Sequence, residues 1–278
     1  MANVRALSRL AIVAVGLGIG AVVAHSPVAS ADDLDFQISF DGYDLFPTTD
    51  NSATATTVTG EYGLAIAYGD GANASAEGGT GDYALAVGSG AYAEAGAPGG
   101  SGNNFDSAVD IGNNTGGGYA GAEAILGSDN SAIQIGNISG GDSGPEAENG
   151  NYDTVINEGN ITQTDWNSYA GGGNDNFAES VGTNSYAAAG GYGLASVGNN
   201  DIALTFDPFG TQGSIAYAGV QYPTAGDNDL AAVLGVDDAT ASAGGSNYLY
   251  DIVTALGNES GTAAATSGGW LGELLSLF

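Results

Sequence analysis

Beyond His25 the chain has no basic residue. Its two arginines, Arg5 and Arg9, and its single histidine lie in the first twenty-five positions, its one methionine is Met1, and it has no cysteine. Each absence closes a class of chemistry. Without cysteine there is no disulfide, thiolate nucleophile or sulfur-ligated metal, and without lysine and histidine no Schiff base, imidazole base or nitrogen-ligated zinc. Serine and threonine are plentiful, but no base is present to activate them. Nothing except backbone amides is left to neutralise a phosphate, which excludes nucleic acid as a partner. Against the two arginines stand 32 Asp and Glu, a formal net charge of −30. Cations, cationic surfaces and neutral glycans therefore remain as partners.

Such a charge is common in disordered chains, yet 43% of the residues are hydrophobic and 9% aromatic, which favours a folded protein. The basic residues have a separate explanation. Arg5 and Arg9 precede an apolar run over Leu10 to Ala24, and Ala29-Ser30-Ala31 supplies small residues ahead of Asp32. This pattern predicts a signal peptide over 1–31, cleaved after Ala31. The run is shorter than the roughly 20 apolar residues of a membrane span. Cleavage leaves a mature chain with no transmembrane span, no Lys, Arg, His, Cys or Met, and a side-chain charge of −32, expected to be secreted or at the cell envelope or surface.

What the chain has in abundance is repetition. Seven segments of the form small-apolar-x-apolar-Gly end on Gly69, Gly88, Gly112, Gly136, Gly159, Gly182 and Gly198, at intervals of 19, 24, 24, 23, 23 and 16. One of them is Asp106-Ser-Ala-Val-Asp-Ile-Gly-Asn113. Between them lie Ala-rich stretches often opened by tyrosine, such as Tyr92-Ala93-Glu94-Ala95 and Tyr186-Ala187-Ala188-Ala189, and Gly, Asn and Asp turns. A period of this length implies a stacked array of two-strand coils. The few large apolar side chains of one coil cannot offset the entropy of ordering it, so stability is expected from coil-on-coil stacking, with Asn or Tyr stacks between turns. Val109 and Ile111 are expected to face a thin core, with Asp110 outward and Gly112-Asn113 turning the corner.

The reading is an all-β, repetitive β-solenoid or β-roll of short strands. An N-terminal cap over 32–59 holds the strand-like Phe36–Phe40 and the turn signal Asp41-Gly42, the repeats run over 60–235, and 236–278 forms a short, partly helical C-terminal cap or tail. The helical portion is expected from the spacing of Leu249, Ile252, Val253 and Leu256, followed by an apolar tail from Trp270 to Phe278.

Candidate sites are few. Ala170-Gly171-Gly172-Gly173-Asn174-Asp175-Asn176-Phe177 is one residue away from the calcium-binding nonapeptide of repeats-in-toxin proteins, with echoes at Gly198-Asn199-Asn200-Asp201 and Gly226-Asp227-Asn228-Asp229. Calcium takes six to eight oxygen ligands, so Asn174, Asp175, Asp201 and Asp229 are the candidate ligands. The carboxylate pairs Glu146/Glu148 and Asp237/Asp238 are of the type a glycosidase uses, but they lack aromatic platforms nearby and any basic residue to tune them. The chain is thus read as a non-enzyme: a secreted or cell-surface structural or interaction protein presenting a repetitive acidic surface, with no required cofactor. A protein, glycan or envelope component remains as its partner, with room for a homo-oligomer. The alternatives are a calcium-dependent binding module or adhesin-like protein, and behind them a glycan-cleaving enzyme.

Two resemblances support this. Ser107-Ala-Val-Asp-Ile-Gly-Asn113 and Ser131-Ala-Ile-Gln-Ile-Gly-Asn137 resemble the head repeats of trimeric autotransporter adhesins, which implies a β-roll and adhesion to host matrix. Ser8 to Gly18, Ile38 to Leu45, the Asp110-Ile-Gly-Asn-Asn114 repeat and Asn247 to Gly257 together resemble a group of uncharacterised secreted mycobacterial proteins rich in Gly, Ala and Asn, which implies a compartment and no particular activity.

Overall fold

The computed structural model describes residues 35–45, 52–97, 103–115, 120–141, 144–162, 168–190, 198–207, 215–218, 227–235, 240–243, 252–257 and 262–264. The expected signal segment, Asp237, Asp238 and the tail from Trp270 to Phe278 lie outside them. The described residues form 23 short strands and no helix.

Two parallel sheets run the length of a β-solenoid. The first stacks, in chain order, the strands Leu64–Tyr68, Tyr83–Val87, Ser107–Ile111, Ser131–Ile135, Thr154–Glu158, Phe177–Gly182, Ile202–Asp207, Leu230–Gly235 and Ile252–Gly257. The second stacks Thr54–Thr57, Asn73–Ala76, Tyr92–Ala95, Ala122–Ile125, Glu146–Glu148, Tyr169–Gly171, Tyr186–Gly190, Ile215–Ala218, Thr240–Ala243 and Thr262–Ala264. The chain alternates between them, so each strand pairs with its counterpart one coil away. Hydrogen bonds between equivalent residues give coil lengths of 19 residues at the start, then 24, 23, 25 and 28.

The space between the sheets decides what faces inward. Strands of opposite sheets, such as Asn73–Ala76 and Tyr83–Val87, come within 8 Å between Cα atoms, closer than the spacing of about 10 Å between sheets packed through larger side chains. A methyl group suits that gap, and larger inward side chains occur only in some coils. The shared core is accordingly a column of alanines, broken among its members only by Val155 and Val233.

This reverses the expected orientation of the repeat. In Ser107–Ile111 it is Ala108 and Asp110 that point inward, both with no exposed surface. Val109 and Ile111 lie on the outward side, Val109 in register between Leu85 and Ile133. The inward position held by Asp110 is Ala67, Ala86 or Val233 in terminal coils and Gln134, Asn157, Ser180 or Thr205 in the middle. These polar groups pair inside: Asn157 Nδ2 donates to Gln134 Oε1 at 2.6 Å, and Gln134 Nε2 to Gly159 O at 3.1 Å. Beside them the wider middle coils bury a second small cluster, Ala120, Ile138 and Ile161.

The repeated glycines are required by the stacking itself. A Cβ on Gly69, Gly88, Gly112, Gly136 or Gly159 would lie 1.8–2.4 Å from the carbonyl oxygen of the next glycine in the row, which ends on Gly182. Gly198 is not its seventh member. Its carbonyl crowds Gly173 instead, in a separate row with Gly127 and Gly150, and the coil after Gly182 pairs that residue with Asp207. Past Gly198 the array continues with longer coils, 28 residues from Asp201 to Asp229.

Its first end is closed by an antiparallel addition. Phe36–Phe40 pairs with Leu64–Tyr68, then turns through Asp41 and Gly42, with φ of 50° and 78°, into Tyr43–Asp44. Two successive positive φ values suit the right-handed twist of a hairpin. Gln37 Oε1 accepts from Ala55 N at 3.0 Å and Thr57 Oγ1 accepts from Gly42 N at 2.7 Å, so polar side chains occupy the edge of Thr54–Thr57 that another strand would otherwise seek. At the other end, the helical spacing at Ile252, Val253 and Leu256 is a strand, Ile252–Gly257, in register with Leu230–Gly235; Leu249 lies outside the described residues. Ladder pairing overrides the local period there.

Candidate functional site

With the interior filled by methyl groups, larger side chains are displaced to the outside, and the two sheets present different surfaces. Down the middle of the first sheet run Ile66, Leu85, Val109, Ile133, Ile156, Glu179 and Leu204 in register. Ile135, Ile202, Phe206 and Leu234 on the same side are exposed. Glu158 and Glu179 interrupt this aliphatic face. Burial raises the pKa of Glu179 first, and the nearby Glu158 charge adds to it.

The second sheet is acidic outward. Glu94, Glu123 and Glu146 are in register on successive coils, and the Tyr92 hydroxyl bonds to Glu94 Oε2. Glu148 shares the face of Glu146 two residues on, and its pKa is raised by burial against a lowering bond from Asn149. Of the two carboxylate pairs noted in the sequence, Glu146/Glu148 thus belongs to a strand, and the described residues include no Lys, Arg or His to pair with it.

The corners carry the most ordered polar structure. One row is buried: Asp82, Asp106, Asn130, Asp153, Asn176, Asp201 and Asp229 occupy equivalent positions on seven successive coils, each at most 2% exposed. In every step the Oδ1 atom accepts the backbone N–H of its counterpart in the next coil, at 2.9–3.1 Å. The second side-chain atom distinguishes amide from acid. Asn130 Nδ2 donates to Gly150 O at 3.1 Å and Asn176 Nδ2 to Gly198 O at 3.1 Å. Asp153 Oδ2 holds the corresponding place beside Gly173 O: both atoms would crowd the same Cβ added at Gly150, at 2.2 and 1.6 Å. A carboxylate oxygen facing a carbonyl oxygen is repulsive, whereas a carboxylic acid donates to it as the amide does.

Burial drives these acids toward that neutral form. It raises Asp82 to about 6, Asp153 to about 7, and Asp106 and Asp201 to about 8, against the lowering effect of the N–H bonds. The Oδ2 atoms of all four are buried without a hydrogen-bond partner. Asp110, inside the first sheet, is raised by burial to about 7 although its Oδ2 accepts from Tyr92 N at 2.8 Å and Asn114 Nδ2 at 2.7 Å.

Other amide rows face water and run in the reverse sense. Ser89 N donates to Asn113 Oδ1, Asn113 N to Asn137 Oδ1 and Asn137 N to Asn160 Oδ1, all at 2.8–2.9 Å. A second exposed row links Asn151 N to Asn174 Oδ1 at 3.2 Å and Asn174 N to Asn199 Oδ1 at 3.0 Å.

These rows account for the residues singled out as calcium ligands. Asn174 is a rung of the exposed row, Asp175 sits at a left-handed turn with φ of 62°, and Asp201 and Asp229 are consecutive rungs of the buried row, with Asp229 N donating to Asp201 Oδ1 at 2.9 Å. The structure brings Asp201 and Asp229 together and places Asn174 and Asp175 one coil earlier. Among the described residues no group of three or more Asp, Glu, His or Cys is arranged to hold a metal ion.

Just before the buried row lies a line of left-handed residues: Tyr62, Gly81, Phe105, Asp129, Tyr152, Asp175, Asn200 and Asn228. Tyr62, Phe105 and Tyr152 are exposed there. The sequence signal for this line was present but faint, an aromatic directly before the buried residue in two coils where others have Asp, Asn or Gly. No family model, curated protein or solved structure matches the chain. No helix among the described residues is long and apolar enough to cross a membrane.

Proposed function

We propose that the chain is a secreted or surface-displayed structural and interaction protein whose work is done by its outward faces, without catalysis. The observation that carries this is the inversion of the repeat: alanine fills the core between the sheets while the large side chains of the first sheet point away from it, Leu85 and Val109 buried there but Ile135, Ile202, Phe206 and Leu234 exposed. A fold that needed only to be stable would expose polar residues there, as the exposed amide corners do. The acidic outward row of the second sheet and the absence of basic side chains after His25 favour a neutral or cationic partner over an anionic one. The local pattern of residues 1–31 supports export, as does the resemblance to secreted Gly/Ala/Asn-rich proteins.

The test is fractionation of cells producing a C-terminally tagged chain, with intact-mass measurement and digestion of whole cells by a broad-specificity protease. The expected outcome is a chain beginning at Asp32 in the medium or envelope fraction, cut by protease on intact cells when envelope-bound. A chain that retains residues 1–31 in the cytosol overturns the proposal. Trypsin serves as the internal control, because a chain beginning at Asp32 offers it no Lys or Arg.

A further inference from the structure

The left-handed line along one corner carries three exposed aromatic residues. Its register follows from backbone bonds that repeat from coil to coil: Gly81 N to Glu61 O at 2.7 Å, Phe105 N to Thr80 O at 3.0 Å, Asp129 N to Asn104 O at 2.8 Å and Tyr152 N to Ser128 O at 3.0 Å. Each coil thus contributes one residue, and Tyr62, Phe105 and Tyr152 fall on every second coil. Their φ values are 55°, 60° and 63°. At this conformation glycine, asparagine and aspartate are the favoured residues, and they occupy the same position at Gly81, Asp129, Asp175, Asn200 and Asn228. The three residues are nonetheless 63%, 60% and 46% exposed and lie outside the alanine core.

The spacing of the three positions is defined. Successive rungs of a β-ladder are about 4.8 Å apart, so alternate coils place the rings about 10 Å apart along a line. The Phe105 ring lies back over the gap left by Gly81, where an added Cβ would stand 2.8 Å from Cε1 and 2.9 Å from Cδ1. It is therefore laid along the ridge and does not stand away from it. In the next gap Asp129 places a carboxylate between Phe105 and Tyr152.

We propose that Tyr62, Phe105 and Tyr152 form a binding ridge for a linear, neutral, equatorially linked polysaccharide. The spacing of the three positions, about 10 Å from one to the next, matches one disaccharide of such an extended chain, so that every second sugar can meet a ring. The apolar C–H face of a pyranose covers an aromatic ring, with its hydroxyls directed to the sides. The overall charge of −30 works against uronate- or phosphate-bearing glycans. This names the ligand class for the interaction role proposed above. It is measured on purified protein, so a chain found in the cytosol that still binds glycan defeats the export proposal and leaves this one standing.

The test is calorimetric titration of the purified chain with cellohexaose and chitohexaose. Either hexamer reaches all three rings, whereas a disaccharide reaches one. The expected result is saturable binding of at least one hexamer, at least tenfold weaker for the matching disaccharide, and insensitive to salt. Combining Tyr62→Asn, Phe105→Asn and Tyr152→Asn installs the residue already found at Asn200 and Asn228. This variant is expected to weaken binding at least tenfold while leaving the melting temperature unchanged or higher. Phe105→Trp, which keeps a platform, should retain binding and guards against misreading a folding defect as a lost contact. Absence of binding at millimolar hexamer, or equal binding by the triple variant, overturns the proposal. So does capture of a protein partner through this ridge with neither hexamer bound.

Discussion

The buried and the exposed corner rows use the same residue types, the same rung spacing and the same bond, an Oδ1 atom accepting a backbone N–H one coil away. They differ in what surrounds the second side-chain atom. At Asn113, Asn137 and Asn160 water is at hand, so the row needs only an acceptor. At Asp106, Asp153 and Asp201 the second atom is buried away from solvent without a hydrogen-bond partner, and at Asp153 it lies beside the Gly173 carbonyl. The comparison teaches that one coil position can be a replaceable bond on the outside and a constraint on protonation state inside.

Deleting the same bond on both sides is the strongest way to break that comparison. Asp153→Ala removes the acceptor for Asn176 N, at 2.9 Å, in a site with no solvent to replace it. An orphaned buried donor costs about 1–3 kcal/mol and the missing side chain leaves a void, so a loss of about 3 kcal/mol is expected from urea denaturation. Asn137→Ala removes an equivalent bond to Asn113 N at 2.8 Å, but water takes its place and less than about 1 kcal/mol should be lost. Equal losses at the two positions would show that burial is not what separates the rows.

The next largest effect concerns pH, and its sign is unusual. In the buried row burial raises the folded-state pKa above the ordinary value of 3.8, so the folded chain holds protons that the unfolded chain releases. The stabilisation is complete below about pH 4 and is lost as pH rises through about 6 for Asp82, 7 for Asp153 and 8 for Asp106 and Asp201. Charges nearby act in the same direction: Glu61 on Asp82, Asp82 and Asp129 on Asp106, and Asp227 and Asp229 on Asp201. Thermal melts should therefore move upward on acidification from pH 9 to pH 5. A melting temperature that falls over this range would contradict neutral acids in the row.

How far these features were legible in the sequence depends on which physical quantity decided them. Strand positions, the two-strand coil and the amide stacks follow from period and turn chemistry, and the structure has them at Ser107–Ile111, Ser131–Ile135 and Asn113. The inside and the outside do not follow from hydrophobicity, because Ser-Ala-Val-Asp-Ile has apolar residues in both phases. Volume decided it, and the cue was constancy: Ala65, Ala84, Ala108, Ala132, Ala178, Ala203 and Ala231 hold one phase, with Val155 the exception, while the other admits Tyr, Leu, Ile and Glu. The end of the array was hidden for a related reason. Gly173 and Gly198 look like the glycines of the first row, and only stacking geometry separates the two sets. Burial of the acids was hidden because Asp and Asn stand at both kinds of corner, as at Asp153 and at Asn137, and residue type alone does not say which side chain solvent reaches.

The smallest effect isolates the proton alone. Asp153→Asn keeps the shape and the Oδ1 acceptor, and it supplies permanently the donor that the acid supplies only when protonated, as Asn130 and Asn176 already do at 3.1 Å. Below about pH 4, where Asp153 is protonated in both the folded and the unfolded chain, the exchange should be nearly neutral. From there up to the folded-state pKa of about 7 the wild type progressively loses its proton-linked stability, so the variant should gain about 1 kcal/mol for each pH unit, and the advantage should level off above about pH 7. The mirror substitution at the exposed corner, Asn137→Asp, retains its acceptor and meets water, so its effect should stay within about 0.5 kcal/mol and show no such slope. Paired denaturation curves at pH 5, 7 and 9 would separate the two. A flat profile for Asp153→Asn would mean that Asp153 is ionised inside the solenoid, its charge held by the N–H of Asn176 and not relieved by a proton.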